Sequence, residues 1–230
     1  MSAVDNAYYQ RNRKLIANYL RRGSKGAKEM ARGMLGFELE HVILRVRPDG
    51  TFGPAAYEGP HGVAELLRRL RPHYEAPILE GDQLVGLSRP GETVTTEPAL
   101  QTEISAGPYG SIAELARAYR RWRSWVDPIV DELGLCLPEL GYNPKVPSTE
   151  LPLSPKFRYD CMDRYLGAIS GYGPQMMRGS ASLQISIDFS DERDALRKLR
   201  IANAIGPITA LMLDNAPIHE GRLRRYNLVR

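Results

Sequence analysis

The sequence predicts an α+β fold, a mainly antiparallel sheet flanked by helices, on three observations. Strand-like runs appear early at hairpin-like spacing, with turn signals at Pro48-Asp49-Gly50 and Pro90-Gly91. The stretch 180–189 alternates polar and apolar residues with the period of a strand. The longest helical patterns follow strand-like runs, an order that belongs to α+β architecture.

Taken along the chain, residues 9–32 read as a basic helix broken near Gly23-Ser24-Lys25-Gly26, and 34–46 as a strand. Val63, Leu66, Leu67 and Leu70 recur at helical spacing between Gly62 and Arg71. A short strand is expected over 83–88 and a second extended run over 93–106. In 111–134, Ile112, Leu115, Ala116, Tyr119, Trp122, Val126, Ile129, Val130 and Leu133 form one apolar stripe. Ser111 is its N-cap and Asp127-Pro128 a kink. A loop carrying Pro138, Pro144, Pro147, Pro152 and Pro155 follows, then a short helix over 160–169. In 180–189, Ala181, Leu183, Ile185, Ile187 and Phe189 form the expected buried face. Ser180, Ser182, Gln184, Ser186 and Asp188 form the polar face. Ser190 then caps a helix to about Leu213, interrupted at Gly206-Pro207. No repeat, low-complexity tract or domain boundary divides the chain, so residues 1–230 read as one domain.

Composition excludes several classes. At 230 residues, 43% hydrophobic and 25% charged, the chain is long enough for a real core. No run approaches the roughly 20 apolar residues of a membrane span. The first ten residues lack the apolar core of a secretory signal. Cys136 and Cys161 have no CxxC spacing and read as reduced thiols, so a cytoplasmic setting is expected. The net charge of +4 gathers in Arg21-Arg22, Arg68-Arg69 with Arg71, Arg120-Arg121 with Arg123, and Arg224-Arg225. Solvated helix faces account for such clusters. Attraction of polyanions is the functional alternative. No zinc-finger spacing or aromatic single-strand motif accompanies them, so neither nucleic acid nor membrane is an expected partner.

The chemistry lies in paired acids. Glu38 and Glu40 are two apart in an otherwise strand-like run, which puts both carboxylates on one face roughly 7 Å apart. The same rule, applied to the second extended run, aligns Glu97, Gln101, Glu103 and Ser105. If these strands share a sheet with Gln184, their polar faces line one cavity. Four carboxylates there would call for divalent cations, a pattern typical of phosphoryl transfer on nucleotide–Mg²⁺. A sheet with one wet face is the other open reading. Solvent faces usually mix Lys among their acids, and these hold none.

The residues also resemble a family. Glu97-Pro98-Ala99-Leu100-Gln101-Thr102-Glu103-Ile104-Ser105-Ala106-Gly107-Pro108 resembles the E-P-G-G-Q-F-E-L-S-G-A-P signature of plant-type glutamate–cysteine ligases. Gly36-Phe37-Glu38-Leu39-Glu40 is similar to their G-x-E-x-E strand. Matching segments follow in family order: Glu80 to Leu87, Arg158-Tyr159-Asp160-Cys161-Met162, Met176-Met177, Gln184 to Ser190, and Asn215 to Gly221. The resemblance implies a glutamine-synthetase-like fold, a curved antiparallel sheet forming a funnel for Mg²⁺ (or Mn²⁺), ATP and glutamate. It implies ATP-dependent ligation of glutamate to cysteine through a γ-glutamyl phosphate, the first step of glutathione synthesis. By position, Glu38, Glu40, Glu97 and Glu103 become metal ligands and Gln184 a polar group near metal and nucleotide. Arg178 and Arg230 become arginines facing the anionic reactants, although the family arginine near Arg178 falls one position later, at Gly179. His41, His61, His73 and His219 match nothing catalytic, and His41 is expected to be structural. Ala99 and Leu100 replace two family glycines, which leaves the backbone less free there. Family members continue beyond the match to Arg230, so the expectation is a partial domain, the N-terminal half of a ligase, with an incomplete site and an exposed edge. A non-catalytic fragment and a ligase for another amine are the alternatives.

Overall fold

The computed structural model describes residues 3–26 and 33–224. Strands β1 (Leu35–His41), β2 (Leu44–Val46) and β3 (Phe52–Pro54) come first, after helix α1 (Ala3–Arg22). Helix α2 (Val63–Leu70) leads to β4 (Ala76–Glu80), β5 (Gln83–Arg89), β6 (Glu92–Thr96) and β7 (Thr102–Tyr109). Helix α3 (Ile112–Glu132), strand β8 (Leu135–Cys136) and helix α4 (Phe157–Ile169) follow. Strand β9 (Leu183–Ile187), helix α5 (Glu192–Met212) and the small hairpin β10 (Ile218–His219) and β11 (Arg222–Leu223) complete the order.

The main sheet runs β4-β5-β6-β7-β1-β9 with antiparallel pairing throughout. It is α+β and antiparallel, as the hairpin spacing predicts. A second sheet, β3-β2-β8, takes up chain on either side of α3. Its formation splits the expected single strand over 34–46: β1 ends at His41, and β2 leaves for the other sheet.

Among the described residues, one face of the main sheet is covered by helices and the other is only part-buried. Phe37, Leu87, Val94, Ile104 and Ala106 point into a core with Leu66, Leu67 and Leu70 of α2 and Leu115, Trp122, Val126 and Val130 of α3. Much of the stripe read from the sequence is the buried face of α3, with Leu115, Trp122, Val126 and Val130 buried, whereas Ile112 is exposed and Ala118, outside the stripe, is buried. Ser111 caps this helix as expected, its hydroxyl accepting from Glu114 N at 3.3 Å. The helix continues through Pro128 without a break. His41 also faces this core, stacked on Tyr119 with Nε2 2.9 Å from the Tyr119 hydroxyl. Burial, then the charge of Arg123, lowers its pKa to about 4, so it is a neutral core imidazole.

The sequence pattern misleads elsewhere as well. First, the extended run over 93–106 is two strands joined by a turn at 97–101. Glu97 N donates to Gln101 O at 2.7 Å and Leu100 N to Glu97 O at 2.9 Å, with Leu100 in the left-handed region at φ 67°. Second, Asp191 rather than Ser190 caps α5, accepting from Asp194 N at 2.9 Å, and the helix runs through Pro207. Third, the apolar face of β9 is not buried: Leu183, Ile185 and Ile187 are 60%, 51% and 59% exposed. Strand β9 is the last of the sheet among the described residues, and α2 and α3 lie over its other strands. Helix α5 buries no residue, leaving Leu196, Leu199, Ile205 and Ile208 in solvent. Among the described residues no helix is long and apolar enough to cross a membrane.

The described arginines of the clusters are mostly exposed, but Arg224 is part-buried against Asp214, and Arg225 lies outside the described residues. Arg68 and Arg69 pair with Glu65, Arg69 also with Glu132, and Arg121 with Glu92. Cys136 and Cys161 are free thiols.

Candidate metal centre

The uncovered face of the sheet carries two polar rows, set by register. Thr95, Glu103 and Glu40 lie side by side across β6, β7 and β1. Thr93, Ser105, Glu38 and Gln184 form the next row, across β6, β7, β1 and β9. Directly opposed residues share a face, so both rows look into the same space.

Carboxylate oxygens of Glu40, Glu97 and Glu103 converge to within 4.8 Å of one another. Each is held by a different device. Ser182 N donates to Glu40 Oε2 at 2.9 Å, while Glu40 N donates to Ser182 O at 3.0 Å, tying the residue to the approach to β9. Ser105 Oγ and Thr95 Oγ1 sit 3.1 Å and 3.4 Å from Glu103 Oε1. Glu97 stands outside the ladder, on the turn, and reaches the cluster because the hairpin folds back. Tyr159 donates its hydroxyl to Glu97 Oε2 at 2.9 Å, and Arg158 Nη2 lies 3.4 Å from Oε1.

Within the cluster, Glu103 is the carboxyl whose protonation is shifted. Burial, then the charge of Glu97, with smaller contributions from Glu40 and Glu38, pushes the Glu103 carboxyl up to about 7. The donor set consists of carboxylate oxygens and contains no sulfur or imidazole, which suits a hard cation such as Mg²⁺. The residues present therefore fit the cation that their spacing calls for.

Glu38 lies one row further along the strand, opposite Ser105 and Gln184, and its carboxylate is outside the close group of three. Gln184 is exposed and donates to Ser182 Oγ at 3.1 Å. Gln101, expected on the polar face, is instead buried. Its Oε1 accepts from Ala99 N at 2.6 Å and its Nε2 donates to Ser180 O at 2.8 Å, fastening the turn to the segment before β9.

Arg178 is a brace in this geometry rather than a free guanidinium. It grips Asp163 with two nitrogens and donates through Nη1 to Leu151 O at 2.9 Å. The arginine that the resemblance puts at position 179 has no room here, because a Cβ on Gly179 would lie 2.3 Å from Tyr142 Cζ. Arg230 lies outside the described residues. Sequence reasoning gave no role to Tyr159, Arg158, Ser182 or Lys156. The only signal for the first two was their place in a matching segment.

A pH prediction follows from Glu103. Its folded pKa lies above the ordinary carboxylate value, so between about 4.5 and about 7 the native state binds more protons than the unfolded state. The contribution of Glu103 to stability is therefore present at low pH and is lost as pH rises through that window. Calorimetry in chelator should show a wild-type melting temperature that falls across the window relative to Glu103→Gln. At about pH 8 Glu103→Gln should be the more stable by about 1 kcal/mol after allowance for solvent screening. Equal profiles for the two proteins would contradict the assignment.

The chain is similar in sequence to known proteins. A family model described as glutamate-cysteine ligase family 2 (GCS2) matches residues 34–230. The chain is 29% identical over 200 residues to a chloroplastic glutamate–cysteine ligase of Brassica juncea, covering 86% of this chain and 38% of that protein. It is 29% identical over 200 residues to one of Arabidopsis thaliana, covering 86% and 37%. It is 28% identical over 204 residues to one of Nicotiana tabacum, covering 88% and 38%. The chain thus spans about 38% of the length of these relatives. All three are described as chloroplastic, beside the cytoplasmic setting expected from the sequence.

Proposed function

The chain belongs to glutamate–cysteine ligase family 2, and from that membership we propose that it joins the γ-carboxylate of L-glutamate to the amine of L-cysteine at the cost of ATP. The observation that carries this reading is the convergence of Glu40, Glu97 and Glu103 on the open face of an antiparallel sheet. We place the sheet in a glutamine-synthetase-like funnel, with ATP and glutamate approaching from that face.

In the proposed reaction a γ-carboxylate oxygen of glutamate attacks the terminal phosphorus of ATP, and ADP leaves. The cysteine nitrogen then attacks the acyl carbon of γ-glutamyl phosphate, the C–O bond to phosphate breaks, and the nitrogen loses a proton. Both reactants are anionic, so apposing them in water is unfavourable. Mg²⁺, or Mn²⁺ in its place, held by Glu40, Glu97 and Glu103, would neutralise that charge. The chain itself orients the ligands, through Ser182 N for Glu40, Ser105 for Glu103 and Tyr159 for Glu97. Glu38 and Gln184, opposed in the adjoining row, would serve the same site, the first toward the metal and the second toward metal and nucleotide. Positioning and charge compensation are what phosphoryl transfer asks of a protein.

The test is ADP release from ATP and glutamate with Mg²⁺. Release should rise when cysteine is added, and rise most with cysteine among a panel of amines. A different preferred amine would keep the ligase and replace its substrate. A second reading has its own support: the bare apolar faces of β9 and α5 favour a chain that holds the cation site without completing the catalytic cavity. That reading predicts cation binding without turnover.

A further inference from the structure

Of the three clustered carboxylates, Glu97 alone has no ladder to hold it. Glu40 and Glu103 stand opposite each other in paired strands. Glu97 sits on a turn whose backbone is not relaxed, since Leu100 occupies the left-handed region at φ 67°. Something else must fix its direction.

Residues 154–159, which close the Pro-rich loop and open α4, grip this turn at several points. Ser154 N donates to Pro98 O at 2.9 Å, and Ser154 Oγ lies 2.7 Å from Thr96 Oγ1. The buried Lys156 donates its ammonium to Thr96 O and lies over the Tyr159 ring, 5.4 Å from its centre. Tyr159 is 2% exposed and reaches Glu97 Oε2. Arg158 lies on the same ring, 4.6 Å from its centre, and its Nη2 contacts both the Tyr159 hydroxyl and Glu97 Oε1.

The direction of the tyrosyl proton follows from this. A guanidinium can only donate, so the Tyr159 oxygen accepts from Arg158 and its single proton is left for Glu97. We propose that Tyr159 is a positioning residue of the cation site: with Arg158 fixing its proton, it holds the Glu97 carboxylate in the direction that completes the group with Glu40 and Glu103. The inference rests on the cation reading above and adds the means by which an off-strand ligand is pre-set. Hydrogen-bond partners of metal ligands commonly matter by 10- to 100-fold in affinity.

The experiment is Mn²⁺ titration of the 230-residue chain followed by electron paramagnetic resonance, with circular dichroism on every variant. Tyr159→Phe is expected to weaken Mn²⁺ binding about 10-fold. Tyr165→Phe, on an exposed position of the same helix, is expected to leave it unchanged. Added to Glu97→Gln, Tyr159→Phe should cost nothing further, because a positioning group has no effect once its target has lost its charge. A merely structural tyrosine would add its loss to that of Glu97→Gln, and that result would overturn the proposal. Should Tyr159→Phe fail to fold, Arg158→Met keeps the ring and releases the proton, and it should weaken binding several-fold. Absence of Mn²⁺ binding by the wild type sinks the cation reading and this inference together. Wild-type binding with an unimpaired Tyr159→Phe sinks this inference alone.

Discussion

Glu40→Gln is expected to reduce divalent-cation affinity by roughly 10²-fold or more, and the proposed ligation by on the order of 10²–10³-fold, with the fold intact. Glu40 is the informative position because its backbone is locked on both sides, against Glu103 on β7 and against Ser182 before β9. A glutamine there has the same shape, and its amide oxygen can still accept from Ser182 N as Glu40 Oε2 does. What changes is one unit of negative charge among three carboxylates. In the metal-free protein the substitution removes one of the charges that raise the Glu103 pKa and keeps an acceptor for Ser182 N. Isothermal titration with Mg²⁺ and Mn²⁺, paired with thermal melts in chelator, separates lost affinity from a lost fold. Unchanged affinity in a folded Glu40→Gln protein would contradict the proposed role.

Glu38→Gln is the natural comparison. The period-two rule treats Glu38 and Glu40 alike, and both do face the open side of the sheet. Register separates them. Glu40 stands opposite another carboxylate, while Glu38 stands opposite a hydroxyl and an amide. No amount of attention to a single strand reveals which acids meet across strands, because pairing register is a property of two segments distant in sequence.

The same limit explains what was legible in this chain. Local periodicity located α2, α3 and β9, because amphipathic stripes are recorded in consecutive residues. The capping of α3 by Ser111 was legible for the same reason. The turn at 97–101 was not. It occupies a run that reads as extended, and it depends on a buried leucine in a backbone region where glycine is the ordinary occupant. The period-two rule consequently sets Glu97 and Glu103 on one strand, whereas the hairpin brings them together. Alternation over 183–187 correctly gave the two faces of β9 but could not say what covers them. Burial depends on neighbouring elements, and β9 closes the sheet among the described residues. The roles of Tyr159 and Arg158 were invisible because a hydrogen-bonding partner has no periodic signature.

Leu100→Gly is the second large effect, and here sequence resemblance and structure make opposite forecasts. Glycine stands at this place in the plant-type signature, so restoring it should be harmless by analogy. In favour of that view, glycine relieves a left-handed conformation that costs an ordinary residue roughly 1–2 kcal/mol. Two terms oppose it. Leu100 is 0% exposed, within the core that includes Val94, Ile104 and Leu87, and deleting such a side chain costs about 2–5 kcal/mol. Glycine also enlarges the freedom of the unfolded chain, at roughly 0.5–1 kcal/mol. The balance is a net loss of about 2–4 kcal/mol, since the core has filled the space that a glycine would leave. Urea unfolding should show a lower midpoint with an unchanged slope, and cation affinity should fall as well, because Glu97 rides on the loosened turn. Ala99→Gly, at the neighbouring replaced glycine, removes only a methyl group and should cost about 1 kcal/mol or less. Equal or greater stability in Leu100→Gly would mean that the strain at this turn outweighs the packing of its side chain.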